Sequence, residues 1–237
     1  MKKRPNHIAV VLGGGKGLRY GSSVPKQYKV LAGKPLIAHA LMTINSSPEV
    51  DMVFVVANQG DEERMRELVI RHGISKCRAI ICGGASRQES VRNALEYISA
   101  NDGNDYDIVL IQDGDRPNID ERMIKENFEV ATKYGAAVTA FSSTDSIFVS
   151  NNGETVSKYI DRRKVYAVQT PQTFKLSLIL SAHREFKDTI ATDDASLVRR
   201  KRHKVVIVQG DSENYKINTL SQGKAFAIMK ERKEEHA

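Results

Sequence analysis

The segment Leu12–Tyr28, LGGGKGLRYGSSVPKQY, follows directly on the apolar run Ile8–Leu12. An apolar run that stops at Gly13, Gly14 and Gly15, with Gly17 close behind, reads as a β-strand opening into a turn. Glycines let backbone N–H groups approach a ligand closely. Successive N–H groups at such a turn form a concave anion site. Arg19 and Lys26 add positive charge beside it, and a triphosphate is the guest that uses this many positive partners. The spacing is not a dinucleotide fingerprint, because the residue three after Gly15 is Leu18. It is not a P-loop either, because Lys16 is followed by Gly17. Three glycines alone fit a plain flexible turn equally well; Arg19 and the triplet Pro25-Lys26-Gln27 favour phosphate binding. Lys26 is expected to be an exposed loop side chain.

Outward from this turn, apolar runs alternate with helical patterns, which predicts βαβ units and an α/β fold with a mostly parallel sheet. Helices are expected from Pro35 to about Asn45, over Asp61–His72 and over Glu121–Tyr134, and strands over Val50–Ala57, Lys76–Cys82, Asp107–Ile111, Ala136–Phe141 and Lys204–Val208. Gly83-Gly84-Ala85-Ser86 opens a further helix, with Ser86 and Glu89 at capping-box spacing ahead of Val91, Ala94, Leu95 and Ile98. A glycine pair before a capped helix is a second candidate anion or nucleobase site. Thr219 and Gln222 have the same capping spacing before the last helix, whose tail, Lys230–Ala237, is expected to fray. The whole of 1–237 reads as one domain.

Ser142–Val168 breaks the pattern. It has no helical period, and Asn151-Asn152-Gly153 marks a turn between β-rich runs. It reads as a projecting β-arm, too long for an ordinary loop. Ile147, Phe148, Val149, Val156, Tyr159, Ile160 and Val165 cannot all be buried by a lone hairpin, so a homodimer with exchanged arms is expected.

At the end of the strand Asp107–Ile111 stands Gln112-Asp113-Gly114-Asp115-Arg116-Pro117. Ligands in open α/β sheets lie at the carboxyl ends of strands. Asp113 is placed to hold Mg²⁺ against phosphate oxygens, and Arg116 to pair with a phosphate. An Asp-Gly turn with a local Asp–Arg pair is the simpler alternative. Thr192-Asp193-Asp194-Ala195-Ser196 reads as a helix start whose carboxylates favour the helix dipole rather than a metal.

Composition narrows the class. Hydrophobic residues make up 41% and charged residues 27%, with a net charge of +7. That charge suits anionic substrates. The densest basic run, Arg199–Lys204, lacks the aromatics and motifs of a nucleic-acid binder and reads as a solvated helix end. No apolar run approaches the ~20 residues of a membrane span, and the run behind Met1-Lys2-Lys3-Arg4 is too short for a signal-peptide core, so a cytoplasmic location is expected. The 2 cysteines, Cys77 and Cys82, make neither a metal set nor a disulfide framework, and are expected within or beside a buried strand, reduced.

Gly15-Lys16-Gly17-Leu18-Arg19 and Pro25-Lys26-Gln27-Tyr28 resemble G-x-G-x-R and P-K-Q-[YF], the opening signature of the cytidylyltransferases that act on 2-C-methyl-D-erythritol 4-phosphate and ribitol 5-phosphate. Further resemblances run to the C-terminus: Asp113-Gly114-Asp115-Arg116-Pro117, Thr144–Ile147, Gln169-Thr170-Pro171-Gln172-Thr173-Phe174, Thr192–Ser196 and Asn214–Asn218. The resemblance implies a three-layer Rossmann-like nucleotidyltransferase fold. It implies CTP as donor, bound by Gly13, Gly14, Gly15, Gly17, Gly84, Ser90 and Gly114, with Arg19, Lys26 and Lys216 as catalytic cations and Asp113 carrying Mg²⁺. It implies Arg116, Ser146, Arg162 and Thr170 at the acceptor, Arg162 reaching it from the arm, and methylerythritol phosphate as acceptor ahead of ribitol 5-phosphate. A nucleotide-binding regulator is the alternative of another class. The chain departs from the pattern at Ala85, Gln112, Asp115 and Asn218.

Overall fold

A computed structural model describes residues 4–14 and 24–235. Gly15, Gly17 and Arg19 lie outside the described residues.

The chain forms β1 (His7–Leu12), β2 (Val30–Leu31), β3 (Lys34–Pro35), α1 (Leu36–Ser46), β4 (Met52–Ala57), α2 (Glu62–Arg71), β5 (Cys77–Cys82), α3 (Arg87–Asn101), β6 (Ile108–Asp113), α4 (Glu121–Tyr134) and β7 (Ala136–Ser142). It continues with β8 (Ile147–Val149), β9 (Lys158–Ile160), β10 (Tyr166–Lys175), α5 (Leu176–Glu185), α6 (Asp194–Arg200), β11 (Val206–Gln209) and α7 (Leu220–Glu235). Among the described residues, seven strands form one sheet in the order β11-β7-β10-β6-β1-β4-β5. All its pairings are parallel except those of β10, which runs antiparallel to β6 and to β7.

The two faces of β1 explain the layering. Ala9 and Val11 pack with Ile37, Leu41, Met65, Ile124 and Phe128 of α1, α2 and α4. Ile8 and Val10 pack with Val91, Leu95, Ile98, Ile179 and Val198 of α3, α5 and α6. A strand covered on both faces needs apolar residues at every position, and β1 shows such a run. A third, small cluster of Leu36, Ile217 and Phe226 anchors α7.

Caps set several boundaries. Asp120 accepts from Met123 N at 2.7 Å and starts α4, and Gly135, with φ +87°, ends it. Ser86 caps α3, and Glu89 returns its carboxylate to Ala85 N at 2.7 Å rather than to Ser86 N. Thr219 and Gln222 exchange hydrogen bonds at the start of α7.

Three expectations change, and one segment given no secondary structure above finds its place. Gln169–Phe174 belongs to β10; Pro171 sits where the register shifts between Val168 and Gln172, so its missing N–H interrupts no ladder. The same strand takes up Tyr166–Val168 against β7, which shortens the arm to 143–165. Cys77 and Cys82 end β5, an edge strand and not a buried one, and both are free thiols. Helix α7 continues through Glu235 instead of fraying from Lys230. No helix among the described residues is long and apolar enough to cross a membrane.

Candidate active site

Strands β4 and β5 extend the sheet to one side of β1 and β6 lies on the other, so the order reverses between β1 and β6. Crevices for ligands open at the carboxyl end of such a switch point. Leu12, the last residue of β1, pairs with Asp113, the last of β6. Close approach then requires glycine on both sides. A Cβ on Gly13 would lie 2.8 Å from Val56 O, and one on Gly114 would lie 2.7 Å from Leu12 O.

Charges converge beside these glycines. Arg87 Nε donates to Asp113 Oδ1 at 3.1 Å, and Lys216 Nζ to Asp113 Oδ2 at 3.1 Å. Arg116 Nε lies 3.9 Å from Asp113 Oδ2. Thr170 Oγ1 accepts from Asp113 N at 3.1 Å. Burial works against ionisation of Asp113, but Arg87, then Lys216, outweigh it and hold the carboxyl well below the usual carboxylate range. A second carboxylate, Asp115, takes Lys26 Nζ on Oδ2 at 2.7 Å and lies 3.5 Å from Lys216 Nζ through Oδ1. Lys26 Nζ also reaches Asn218 Oδ1 at 3.3 Å. Two positions where the chain departs from the family pattern, 115 and 218, thus meet on one ammonium group.

Lys26 is buried, not exposed as expected. The short 3-10 turn Lys26–Tyr28 carries it inward. Arg116 commits its Nη1 to Asn214 O at 2.8 Å and its Nη2 to Val168 O at 3.4 Å, so it braces the wall of the crevice. Burial weakens its hold on the proton, and Asp113 and Asp115 offset part of that effect. Arg87, Asp113, Arg116, Thr170, Asp193 and Lys216 line a cavity of about 420 Å³.

The second glycine turn stands beside it. Gly84 N donates to Ser90 Oγ at 3.0 Å, and Ser90 Oγ donates to Ser86 O at 2.8 Å, so the serine fastens the turn. Gly14 is exposed at the end of β1. Ser146 and Arg162 lie on the arm, both exposed; Arg162 Nη1 donates to Thr144 O at 2.8 Å, at the arm's root. The crevice thus gathers Gly13, Lys26, Asp113, Gly114, Arg116, Thr170 and Lys216, while Ser146 and Arg162 stand apart.

Residue-type reading passed over Arg87. Besides Asp113 it donates through Nη1 to Asp194 Oδ2 at 2.8 Å, and Asp194 Oδ1 lies 3.1 Å from Nε2 of His183. Asp193 alone caps α6, accepting from Ser196 N at 3.0 Å; Asp194, expected to serve the helix dipole as well, is turned inward and buried. One signal for Arg87 was present: a cation in the first turn of a helix opposes the helix dipole, which points to a carboxylate partner elsewhere in the fold.

Among the described residues no group of three or more His, Cys, Asp or Glu gathers to hold a metal. The ionised Asp113 supplies a single carboxylate at the strand end. That donor set fits an ion that draws its other ligands from phosphates and water, as magnesium does, and does not fit a metal caged by protein.

Comparison with known proteins agrees with this geometry. The sequence profile of the family described as "IspD: 2-C-methyl-D-erythritol 4-phosphate cytidylyltransferase" matches residues 7–230. A protein of that name from Geobacillus kaustophilus (strain HTA426) is 38% identical over 216 residues, covering 90% of this chain and 92% of the relative. Another from Geotalea uraniireducens (strain Rf4) is 39% identical over 214 residues, covering 89% and 91%. The crystal structure of 4-diphosphocytidyl-2C-methyl-D-erythritol synthase from Anaerococcus prevotii shares the fold with a TM-score of 0.83 at 24% identity, over 96% of this chain and 99% of that one. The cytidylyltransferase of Thermus thermophilus superposes with a TM-score of 0.76 at 25% identity, over 94% and 98%. The central sheet, the two helical layers and this match over most of the length together make the chain a member of the 2-C-methyl-D-erythritol 4-phosphate cytidylyltransferase (IspD) family.

Proposed function

We propose that this protein transfers a cytidylyl group from CTP to 2-C-methyl-D-erythritol 4-phosphate, in isoprenoid precursor synthesis. An oxygen of the acceptor phosphate forms a bond to the α-phosphorus of CTP. The bond from that phosphorus to the β-phosphate bridge breaks, and pyrophosphate leaves. The observation that carries the reading is the convergence of Lys26, Lys216, Arg87 and Arg116 on two carboxylates at the switch point of a chain in this family.

A phosphate monoester with a second pKa of about 6 is already ionised at neutral pH, so the nucleophile needs no strong base. What remains is positioning and charge neutralisation. Lys26 and Lys216 are assigned to phosphate oxygens of the triphosphate and acceptor, with Arg19 as a further cation on the triphosphate. Gly14, Gly15 and Gly17 are assigned to the phosphates through their backbone and Gly84 and Ser90 to the cytidine, while Gly13 N and Gly114 N, which donate to Val56 O at 2.7 Å and to Leu12 O at 3.0 Å, tie the strand ends together instead. Arg116 and Thr170 shape the acceptor wall. Magnesium belongs to the proposal: Asp113 would hold it, and it would neutralise triphosphate charge. The reading also places the enzyme in the cytoplasm, the compartment that supplies CTP.

A homodimer joined through the arm completes the proposal. Phe148 is 51% exposed and Tyr159 69% exposed on a hairpin that, among the described residues, forms a sheet of two strands only. A second copy would cover this face, and its crevice would receive Arg162 and Ser146.

The test is direct. Purified protein is given CTP, Mg²⁺ and either methylerythritol phosphate or ribitol 5-phosphate, and pyrophosphate release is followed. Release with methylerythritol phosphate is expected. Release only with ribitol 5-phosphate would move the protein to another acceptor, and release with neither would refute the reading.

A further inference from the structure

We infer that Asp115 sets the anionic charge a ligand must carry to enter the site, because its carboxylate stands between Lys26 and Lys216 where a substrate phosphate would bind. This rests on the assignment of those two lysines to phosphate.

Its Oδ2 accepts from Lys26 Nζ at 2.7 Å, and its Oδ1 lies 3.5 Å from Lys216 Nζ. Oδ1 is buried and has no hydrogen-bond partner, so the carboxylate meets the second lysine by charge alone. The backbone holds it there. Gly114 N donates to Leu12 O at 3.0 Å, and Ile217 N donates to Asp115 O at 2.9 Å, which sets Asp115 beside the residue that follows Lys216. Asn218, one position further, gives Lys26 its other oxygen at 3.3 Å. With Asp113 Oδ2 at 3.1 Å from Lys216 Nζ, the two ammonium groups are already supplied with two carboxylates and an amide before any ligand arrives, and Asp115 is the carboxylate that both of them share.

A ligand that takes both lysines must displace this carboxylate and then lie near it. A single phosphate brings little more charge than it displaces. A triphosphate brings enough to replace the carboxylate and to bear the repulsion of the displaced group. After transfer, the same repulsion works on the pyrophosphate product and favours its departure. Asp115 acts through the lysines and is a positioning residue, not a catalytic one.

Binding of inorganic pyrophosphate and orthophosphate is measured by calorimetry for wild type and for Asp115→Asn, Asp115→Ala and Asp115→Glu, with melting temperatures alongside. The neutral variants are expected to bind pyrophosphate about tenfold tighter, with KM for CTP falling in step and kcat equal or lower. Asp115→Glu, which keeps the charge, should stay near wild type. Unchanged or weaker pyrophosphate binding in Asn and Ala variants that still melt cooperatively would overturn the inference and indicate a merely structural ion pair. Should neither variant fold, wild type alone decides. Tripolyphosphate is then expected to bind at least about a hundredfold tighter than orthophosphate, and a ratio below about tenfold overturns the claim. Failure of the proposed reaction is read separately, as wild type that releases no pyrophosphate from CTP.

Discussion

The crevice between β1 and β6 and the arm at 143–165 treat their side chains in opposite ways. In the crevice, charge is taken out of water and paired: Asp113 is 7% exposed and meets Arg87 and Lys216, and Asp194 is 1% exposed and meets Arg87 and His183. On the arm, apolar rings stand in water, with Phe148 against Tyr159 at 6.0 Å between ring centroids on a sheet of two strands among the described residues. Buried carboxylates are tolerated because each is matched by a cation at short range; removing one partner leaves an uncompensated charge. Exposed rings carry no such internal penalty and gain only when another surface covers them. The difference teaches that the charges described in the crevice find their partners within one chain, whereas the rings of the arm find few within theirs.

Breaking the crevice should do the most damage. Arg87→Ala strips a partner from both Asp113 and Asp194, and is expected to cost about 3 kcal/mol of stability, the lower end for a broken buried pair, since the arginine is partly exposed. A denaturant midpoint measures it, and an unchanged midpoint would mean that the carboxylates are wetter than the structure has them. Lys26→Met is expected to cut turnover by at least ~10²-fold, the scale of losing one electrostatic stabiliser. Because Lys26 is buried against Asp115, its melting temperature should fall as well, unlike that of an exposed lysine. Near-normal turnover would remove this lysine from the chemistry.

Acid sharpens the contrast. In both Asp113 and Asp194 burial opposes ionisation and Arg87 leads the groups that override it, leaving both below their ordinary range. An unfolded aspartate titrates near ~3.9. A lower value in the folded state means stability that is fully present above that point and lost as pH falls through the folded values. The denaturation midpoint should therefore hold from pH 7 to about 5 and fall below about 4, and Arg87→Ala should flatten that acid limb.

The arm gives the smallest effects on folding. Tyr159→Ser should leave the melting temperature of the monomer within about 1 kcal/mol of unchanged stability while weakening dimerisation by sedimentation. A mixed dimer of Arg162→Ala with Lys26→Met subunits tests whether the arm serves the other crevice. If it does, one site holds both lesions and the other neither, and about half the activity of wild type returns, because each undamaged site works independently. A mixture as inactive as its parents would place Arg162 in its own subunit's site.

Local pattern carried much of this protein. Continuous apolar runs, glycines at strand ends and capping residues depend on neighbours within a few positions, so the alternation of strands and helices, the boundaries of α4 and the cap of α3 were legible directly. Gly13 was legible as a strand-end glycine for the same reason, whereas the approach of Gly114 to Leu12 O follows from the pairing of β1 with β6. Partner choice was not. Lys26 meets Asp115 and Asn218, 89 and 192 positions away, and Arg87 meets Asp194 across 107, distances along the chain at which periodicity carries no information. The order of strands brings those segments together, and with them comes the burial that turns an apparent loop lysine into half of an ion pair. Residue types and spacing by themselves determined a phosphate-handling α/β chain; only the tertiary structure decided which carboxylate each cation faces, because charge pairing is set by proximity in space after the sheet has formed.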